Sequence, residues 1–194
     1  MQANDFQTNT HELIFNLHKT SHHGSIDLFA LSALQKILLT TDGTLTKILE
    51  AYLSEEIQMV KLSERSTFIA QDIPLLELKR RSEVIERKIL LQGKVSKKNV
   101  LYAESILVPE RLDKHFREEL LKSEIPLGKL MLAHWMETFK EIMTSGKEPS
   151  NGLSAFFQIS HGDKLLSRTY RLSHHCKPIM LITEKFPESY FRVI

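Results

Sequence analysis

The sequence predicts an α+β domain with a mainly antiparallel sheet flanked by helices. Apolar residues recur at helical spacing before residue 56, several later segments alternate between apolar and polar residues, and those segments come in pairs with short polar connections. Strands joined in this way pair antiparallel, whereas alternating strand and helix units would give a parallel sheet. The 194 residues fit one domain, predicted over residues 31–194, with an irregular N-terminal arm over residues 1–30.

Two helices are predicted before the first strand. Apolar residues recur at helical spacing behind Ser32, whose side chain can cap the first helix. The segment from Thr41 to Thr44 breaks this periodicity, with Gly43 suited to the position after the C-cap and Thr44 suited to cap the second helix. The apolar residues behind these predictions are Leu34, Ile37 and Leu38 in the first helix and Leu45, Ile48, Leu49 and Tyr52 in the second.

Alternating apolar residues predict five strands, over residues 57–62, 83–91, 100–108, 165–172 and 178–186. Residues 93–99 are mostly polar and begin with a glycine, which favours a hairpin loop between the second and third strands. Residues 174–176 are predicted to turn between the last two strands. Residues 136–143 alternate weakly and are compatible with a strand or a helix, while residues 145–152 predict a loop because they contain two glycines and a proline.

Two further helices are predicted where a proline fits the first helical turn. Pro109 ends the third strand and is predicted to open a helix that runs to Lys122. Pro126 precedes Leu127 and Gly128, and this segment is predicted to start a short helix. The free N–H groups at such a helix start suit an anion.

Two charged residues are notable because they fall on apolar strand faces. Side chains alternate along a strand, so Arg87 shares its face with three large aliphatic residues, and Glu184 is the only charge on its face. A buried charge is costly unless it is paired or binds a ligand. A guanidinium can bind a carboxylate through two parallel hydrogen bonds, and a carboxylate can accept a hydrogen bond from a hydroxyl. Together they predict a site for a ligand with an acid at one end and a hydroxyl at the other.

Other arrangements of these charges remain open from the sequence. Arg87 and Glu184 could form a buried ion pair with each other, or either could face solvent. Glu104 is a third charge on a strand face with apolar neighbours. It could face the same pocket or serve as a structural partner of a base such as Arg168 or Arg171.

Composition excludes several functional classes. The formal net charge is +2, from 26 Lys+Arg against 24 Asp+Glu, which is too balanced to indicate a nucleic-acid binder. The basic segments 79–81 and 94–98 are not interleaved with aromatic residues and are predicted to be solvated surface. No apolar run reaches the length of a membrane span. The balanced charge favours a monomer.

The N-terminus lacks a basic segment followed by an apolar one, so no secretory signal is predicted and the expected compartment is the cytoplasm, or the stroma for a plastid-encoded chain. The single cysteine, Cys176, excludes an internal disulfide. The histidine pairs 22–23 and 174–175 are predicted to lie in turns or at the surface, and no metal site is expected.

Eight short segments carry a resemblance to a known family through their order and spacing. They are TDGTLT (41–46), ERKILL (86–91), YAES (102–105), RL (111–112), PLG (126–128), ETF (137–139), RTYR (168–171) and PIMLITEKF (178–186). Together they resemble the chorismate lyase family, also called chorismate pyruvate-lyase or 4-hydroxybenzoate synthase. The similarity extends from about Leu31 to Phe186, and is greater to the branch of cyanobacteria, red-algal plastids, archaea and mycobacteria than to the enterobacterial branch.

This resemblance implies an internal pocket beneath helical flaps, and conversion of chorismate into 4-hydroxybenzoate and pyruvate without a cofactor. It implies that Arg87 binds the ring carboxylate and that Glu184 meets the ring hydroxyl. It also implies that backbone N–H groups near Leu45 and at Leu127 help to hold the carboxylate. The product would feed quinone or phenolic-lipid biosynthesis.

Glu104 is a departure, because the enterobacterial branch tends to have an arginine there. A glutamate facing the pocket would alter how the enolpyruvyl acid of the substrate is held. The main alternative function is a non-catalytic domain that senses a small aromatic acid, since one class of bacterial transcription regulators uses a related fold.

Overall fold

A six-stranded antiparallel sheet forms the centre of the protein in a computed structural model, which describes Ile26 and residues 28–192. The strands are β1 (Ile57–Phe68), β2 (Glu83–Gly93), β3 (Asn99–Leu107), β4 (Phe139–Pro149), β5 (Lys164–His174) and β6 (Lys177–Pro187). Their order across the sheet is β1-β2-β3-β6-β5-β4. Every neighbouring pair is antiparallel, which confirms the predicted fold class.

Five α-helices accompany the sheet in the residues that the structure describes. They are α1 (Ala33–Thr40), α2 (Leu45–Leu53), α3 (Lys114–Lys122), α4 (Leu127–Ala133) and α5 (Ser154–Phe157). Short 3-10 helices occur at Leu28–Ala30, Pro74–Leu76, Pro109–Arg111, Asn151–Leu153 and Glu188–Phe191. None of the helices in this described part of the chain is long and apolar enough to cross a membrane.

Local interactions begin and end the first helix. Ser32 caps α1 as predicted, because its hydroxyl accepts from the N–H of Gln35 while the Gln35 side chain accepts from the N–H of Ser32. The predicted position of Gly43 directly after the C-cap is wrong, because Thr41 is the C-cap and Asp42 follows it. Thr41 ends α1 in an extended conformation, and Gly43 does not adopt a positive φ. The chain therefore leaves α1 extended and reaches α2 without a glycine cap.

Two element predictions need correction. The helix expected from Pro109 to Lys122 is divided, because the 3-10 turn at Pro109–Arg111 ends and Asp113 caps a new helix, α3, through the N–H groups of His115 and Phe116. The loop expected over residues 145–152 is mostly strand. β4 runs to Pro149, since an edge strand tolerates glycine and proline better than a central one.

Both faces of the sheet are covered. The inner face packs against helices α1 to α4 and forms the main core, with Leu49, Phe116 and Leu130 fully buried against it. On the outer face, the loop with the 3-10 turn at Pro74–Leu76 forms one apolar cluster, and Phe157 of α5 belongs to another. Because both faces are apolar, a charge on either face of a central strand is enclosed.

Candidate active site

A cavity of about 200 Å³ lies between the inner face of the sheet and helices α2, α3 and α4. Most of its wall is apolar, and the charged or phenolic side chains in the wall are Asp42, Arg87, Lys140, Tyr170 and Glu184. The volume lies below the range of about 300–1,000 Å³ that is usual for drug-sized ligands. The cavity therefore suits a small ligand.

Arg87 lies in the middle of β2 with only 5% of the residue exposed. Its Nη2 donates to Met59 Sδ at 2.9 Å, and a thioether is a weak acceptor. Its Nε lies 3.4 Å from Glu64 Oε2, but neither of these buried atoms has a hydrogen-bond partner. Burial lowers the pKa of the Arg87 guanidinium, and the charge of Glu64 opposes that effect. Arg87 is thus a buried cation with weak protein partners.

Glu184 of β6 has strong partners instead. Its Oε2 accepts from Arg168 Nε at 2.7 Å, and its Oε1 accepts from the Tyr170 hydroxyl at 2.9 Å. Arg168 also donates through Nη1 to the carbonyl of Thr41 at 2.9 Å. The Arg168 side chain is fully buried, so the ion pair with Glu184 is enclosed. Burial, followed by the negative charge of Glu184, raises the pKa of the Tyr170 hydroxyl well above its usual value.

Arg87 and Glu184 thus face the same cavity but are not paired with each other. In the sheet, Arg87 is opposite Ser105 on β3, and Glu184 is opposite Ala103 on the same strand. Two strand spacings of about 4.8 Å and an offset of two residues, about 6.7 Å, separate the two Cα atoms by about 12 Å. The cation and the carboxylate therefore stand on different parts of the cavity wall, with space between them.

Glu104 does not reach the cavity, which corrects the expectation that it faces the pocket. Its Oε1 accepts from the Tyr102 hydroxyl at 2.8 Å, on the outer face of the sheet. The neighbouring Ala103 and Ser105 line the cavity, so alternation along β3 directs Glu104 away from it. The two arginines suggested as partners of Glu104 form ion pairs with other carboxylates, because Arg168 pairs with Glu184 and Arg171 pairs with Glu141.

Leu45 and Leu127 are the first residues of α2 and α4, and both line the cavity. The two helix starts are close together, because a Cβ atom built on Gly128 would lie 2.6 Å from Thr44 Cγ2. Neither helix start has a side-chain cap. The first N–H groups of a helix have no acceptor within the helix, so both starts present donors near the cavity.

Sequence reasoning missed Lys140 and Tyr170 as cavity residues. Lys140 lies on the edge strand β4, whose segment did not distinguish a strand from a helix. Its Nζ donates to the carbonyl of Gly43 at 2.9 Å and lies 4.8 Å from the centre of the Tyr170 ring. Tyr170 and Arg168 belong to the segment RTYR and, being two residues apart, share one face of β5. Because Arg168 lies opposite Glu184 in the sheet, this pairing could have placed both residues on the inner face.

One cluster outside the cavity has the composition of a metal site. Ligand atoms of His115, Glu119 and His134 lie within 4.8 Å of one another, on α3 and at the end of α4. His134 Nε2 already lies 2.7 Å from Glu119 Oε2. Of the histidine pair predicted to lie in a turn or at the surface, His174 is the last residue of β5 and its Nδ1 contacts the Glu137 carbonyl, while His175 lies in the turn. The pair at residues 22–23 lies outside the described residues.

Comparison with known sequences identifies a family for most of the chain. Residues 39–193 match the family described as "Chorismate pyruvate-lyase Rv2949c-like". The chorismate pyruvate-lyase of Mycobacterium leprae is 31% identical over 159 residues, which are 81% of this chain and 75% of that protein. The chorismate pyruvate-lyase of Mycobacterium tuberculosis H37Rv is 29% identical over 161 residues, which are 81% of each chain.

Solved structures share the fold. The effector domain of PhnF from Mycobacterium smegmatis has a TM-score of 0.59 at 11% identity, covering 77% of this chain and 91% of that domain. The C-terminal domain of the histidine utilization repressor from Pseudomonas syringae has a TM-score of 0.54 at 12% identity, covering 72% and 96%. At such low identity these similarities show the fold alone.

Proposed function

Because the chain belongs to the Rv2949c-like chorismate pyruvate-lyase family, we propose that it converts chorismate into 4-hydroxybenzoate and pyruvate. The observation that carries this proposal is the placement of Arg87 and Glu184 at one small cavity, each with a different protein partner. An aromatic acid with a para hydroxyl has a carboxylate at one end and a hydroxyl at the other. These two groups match the cation and the carboxylate of the cavity wall.

Arg87 is proposed to bind the ring carboxylate. Its current partners are a thioether and a carboxylate without a directed hydrogen bond, so it retains donors for an anion. A ligand carboxylate would give those donors stronger acceptors in a site of low polarity. The N–H groups at Leu45 and Leu127 are proposed to add hydrogen bonds to the same carboxylate.

Glu184 is proposed to meet the ring hydroxyl. Arg168 and Tyr170 hold its carboxylate in position, which leaves the hydroxyl of the ligand to donate to a charged acceptor. In the reaction, the bond between ring carbon C3 and the enolpyruvyl oxygen breaks, and the hydrogen on the hydroxyl-bearing carbon C4 is lost. The ring becomes aromatic, and the enolpyruvyl group takes up a proton on its methylene carbon to leave as pyruvate.

Aromatisation supplies the driving force, so we propose that the protein needs no cofactor or covalent intermediate. Its contribution would be to hold the reactive conformer, to stabilise charge on the departing oxygen and to exclude water. The apolar wall of the cavity supports the last role. The compartment would be the cytoplasm, or the stroma for a plastid-encoded chain, and the product would feed quinone or phenolic-lipid synthesis.

Incubation with chorismate, followed by chromatography for both products, tests the proposal. We expect equal amounts of 4-hydroxybenzoate and pyruvate, and a loss of more than about 100-fold in turnover for Arg87→Ala at low substrate, because two charge-assisted hydrogen bonds are lost. Folded protein that forms neither product would contradict the enzymatic function. Near-normal turnover by Arg87→Ala would show that Arg87 does not bind the substrate.

The sensor alternative is favoured by one observation, the shared fold with an effector domain and a repressor domain. A sensor would bind 4-hydroxybenzoate or chorismate without turnover. Calorimetry beside the product assay separates the two functions, because binding of chorismate without formation of pyruvate would support the sensor.

A further inference from the structure

Lys140 is a cation of the cavity wall for which the described residues provide no ion pair. Its Nζ donates to the carbonyl of Gly43 and lies over the face of the Tyr170 ring. Three other cations on the neighbouring strands, Arg168, Arg171 and Lys185, each pair with a carboxylate. Lys140 therefore differs from these three cations in the kind of partner it has.

The surroundings of Lys140 disfavour its charge. Burial lowers the pKa of the Lys140 amine, and the positive charge of Arg168 lowers that pKa further. The charges of Glu184 and Asp42 act in the opposite direction. Glu184 is already bound by Arg168 and Tyr170, so it does not neutralise Lys140 directly. A ligand anion beside Lys140 would supply the missing partner.

We propose that Lys140 binds the carboxylate of the enolpyruvyl side chain of the substrate, and this inference rests on the proposed function. Chorismate carries two carboxylates, one on the ring and one on the side chain. Within the part of the chain that the structure describes, the cavity wall has two cations without a hydrogen-bonded carboxylate, Arg87 and Lys140. One cation for each carboxylate would match the charge of the ligand.

The position of Lys140 agrees with the chemistry of the ligand. The enolpyruvyl ether is on the ring carbon next to the one that bears the hydroxyl, so its carboxylate must lie beside the group that meets that hydroxyl. Lys140 contacts the ring of Tyr170, and the hydroxyl of Tyr170 donates to Glu184. The side-chain carboxylate and the ring hydroxyl would therefore be bound at the same end of the cavity, with Arg87 two strands from Glu184.

The test compares two ligands that differ in the second carboxylate. We expect Lys140→Met to raise the KM or Kd for chorismate about 10- to 100-fold, since one charge-assisted contact is lost, and to change the Kd for 4-hydroxybenzoate less than about threefold. Lys140→Arg should recover most of the chorismate affinity because it restores the charge. Lys164→Met is the matched control, since Lys164 is exposed on β5.

Calorimetry measures the Kd of each ligand, and steady-state kinetics measure the KM for chorismate. Equal weakening of both ligands by Lys140→Met would overturn the proposal, because it would show that Lys140 only supports the Gly43 loop. Unchanged chorismate binding would also overturn it. If the unmodified protein binds chorismate without turnover, the lyase function fails but the binding comparison still decides the role of Lys140. If it binds no chorismate, both proposals fail.

Discussion

Arg87 and Arg168 are both buried arginines of the inner face, yet their partners differ in strength. Arg168 donates to Glu184 at 2.7 Å and to the carbonyl of Thr41 at 2.9 Å. Arg87 has a thioether at 2.9 Å and a carboxylate at 3.4 Å without a directed hydrogen bond. Arg168 is therefore held by two strong hydrogen bonds, although its Nη2 has no partner among the described residues, while Arg87 has no hydrogen bond to an oxygen acceptor there.

This difference predicts that Arg87→Met removes ligand affinity without a loss of stability. Methionine fills much of the same space, and Glu64 keeps its ion pair with Lys61 at 2.9 Å. We expect the free energy of unfolding to be unchanged or about 1 kcal/mol higher, because a poorly satisfied buried charge is removed. Urea denaturation measures this change, and calorimetry measures the loss of 4-hydroxybenzoate binding.

Arg65→Met serves as the control for Arg87→Met, because Arg65 pairs with Glu86 on the same strand pair and its side chain is 49% exposed. It should leave ligand binding unchanged. A loss of more than about 2 kcal/mol in Arg87→Met would contradict the view that Arg87 is weakly held, since breaking a well-formed buried pair costs about 3–5 kcal/mol.

Glu184→Gln should lower both activity and stability. Glutamine keeps the shape and can still accept from Tyr170, but it leaves the Arg168 guanidinium charged and fully buried without a carboxylate. We expect a loss of about 3 kcal/mol in the free energy of unfolding. The double variant Arg168→Met/Glu184→Gln should recover most of that stability but no activity. If the stability losses of Arg168→Met and Glu184→Gln simply add in the double variant, the coupling between Arg168 and Glu184 is contradicted.

Helices α2 and α4 form the cover of the cavity, and two contacts join them. Thr44 and Gly128 meet at the helix starts, where a Cβ on Gly128 has no room. Lys129 of α4 pairs with Glu50 of α2 at 2.5 Å, and Glu50 also accepts from the N–H of Ile57. The cover is therefore anchored to the first strand, and its two helix starts have a defined spacing.

Gly128→Ala should separate the two helix starts and weaken ligand binding about 10-fold. The overlap of the new Cβ atom with Thr44 lowers the free energy of unfolding by about 1–3 kcal/mol. The better helix propensity of alanine offsets about 1 kcal/mol of that loss. Thr44→Ser removes the overlapping Cγ2 atom, and Thr44 makes no side-chain cap that would be lost. The double variant should therefore recover affinity in calorimetry, and failure to recover would exclude this contact as the cause.

At the scale of the whole molecule, the sheet formed by the described residues has two edges without a further paired strand, β1 and β4. Both contain a register shift, between Lys61 and Ser63 in β1 and between Ile142 and Thr144 in β4. A bulge twists an edge strand away from a potential partner, and charged side chains on an edge disfavour pairing. These features oppose edge-to-edge association of two sheets.

The chain is therefore predicted to be a monomer. Sedimentation equilibrium should give a mass of 22.5 kDa at micromolar concentration, with no change when 4-hydroxybenzoate is added. A mass of twice that value would contradict the prediction.

Much of the inner face follows from the sequence, because alternation along a strand is a local property. The apolar neighbours of Arg87 and Glu184 placed each charge on an apolar face, and both residues line the cavity. The same reasoning failed for Glu104, because both faces of β3 are apolar and buried. Alternation divides such a strand into two faces but does not identify the one that faces the helices.

The sequence by itself determined the fold class, the two hairpin pairs β2–β3 and β5–β6, and the two charges on apolar strand faces, since periodicity and turn residues act over short distances. Only the tertiary structure decided that Glu184 pairs with Arg168, that Arg87 is left with weak partners and that Lys140 joins the wall. These outcomes depend on the strand order, which brings β6 between β3 and β5. Strand order is set by packing between distant segments, and no local pattern contains it.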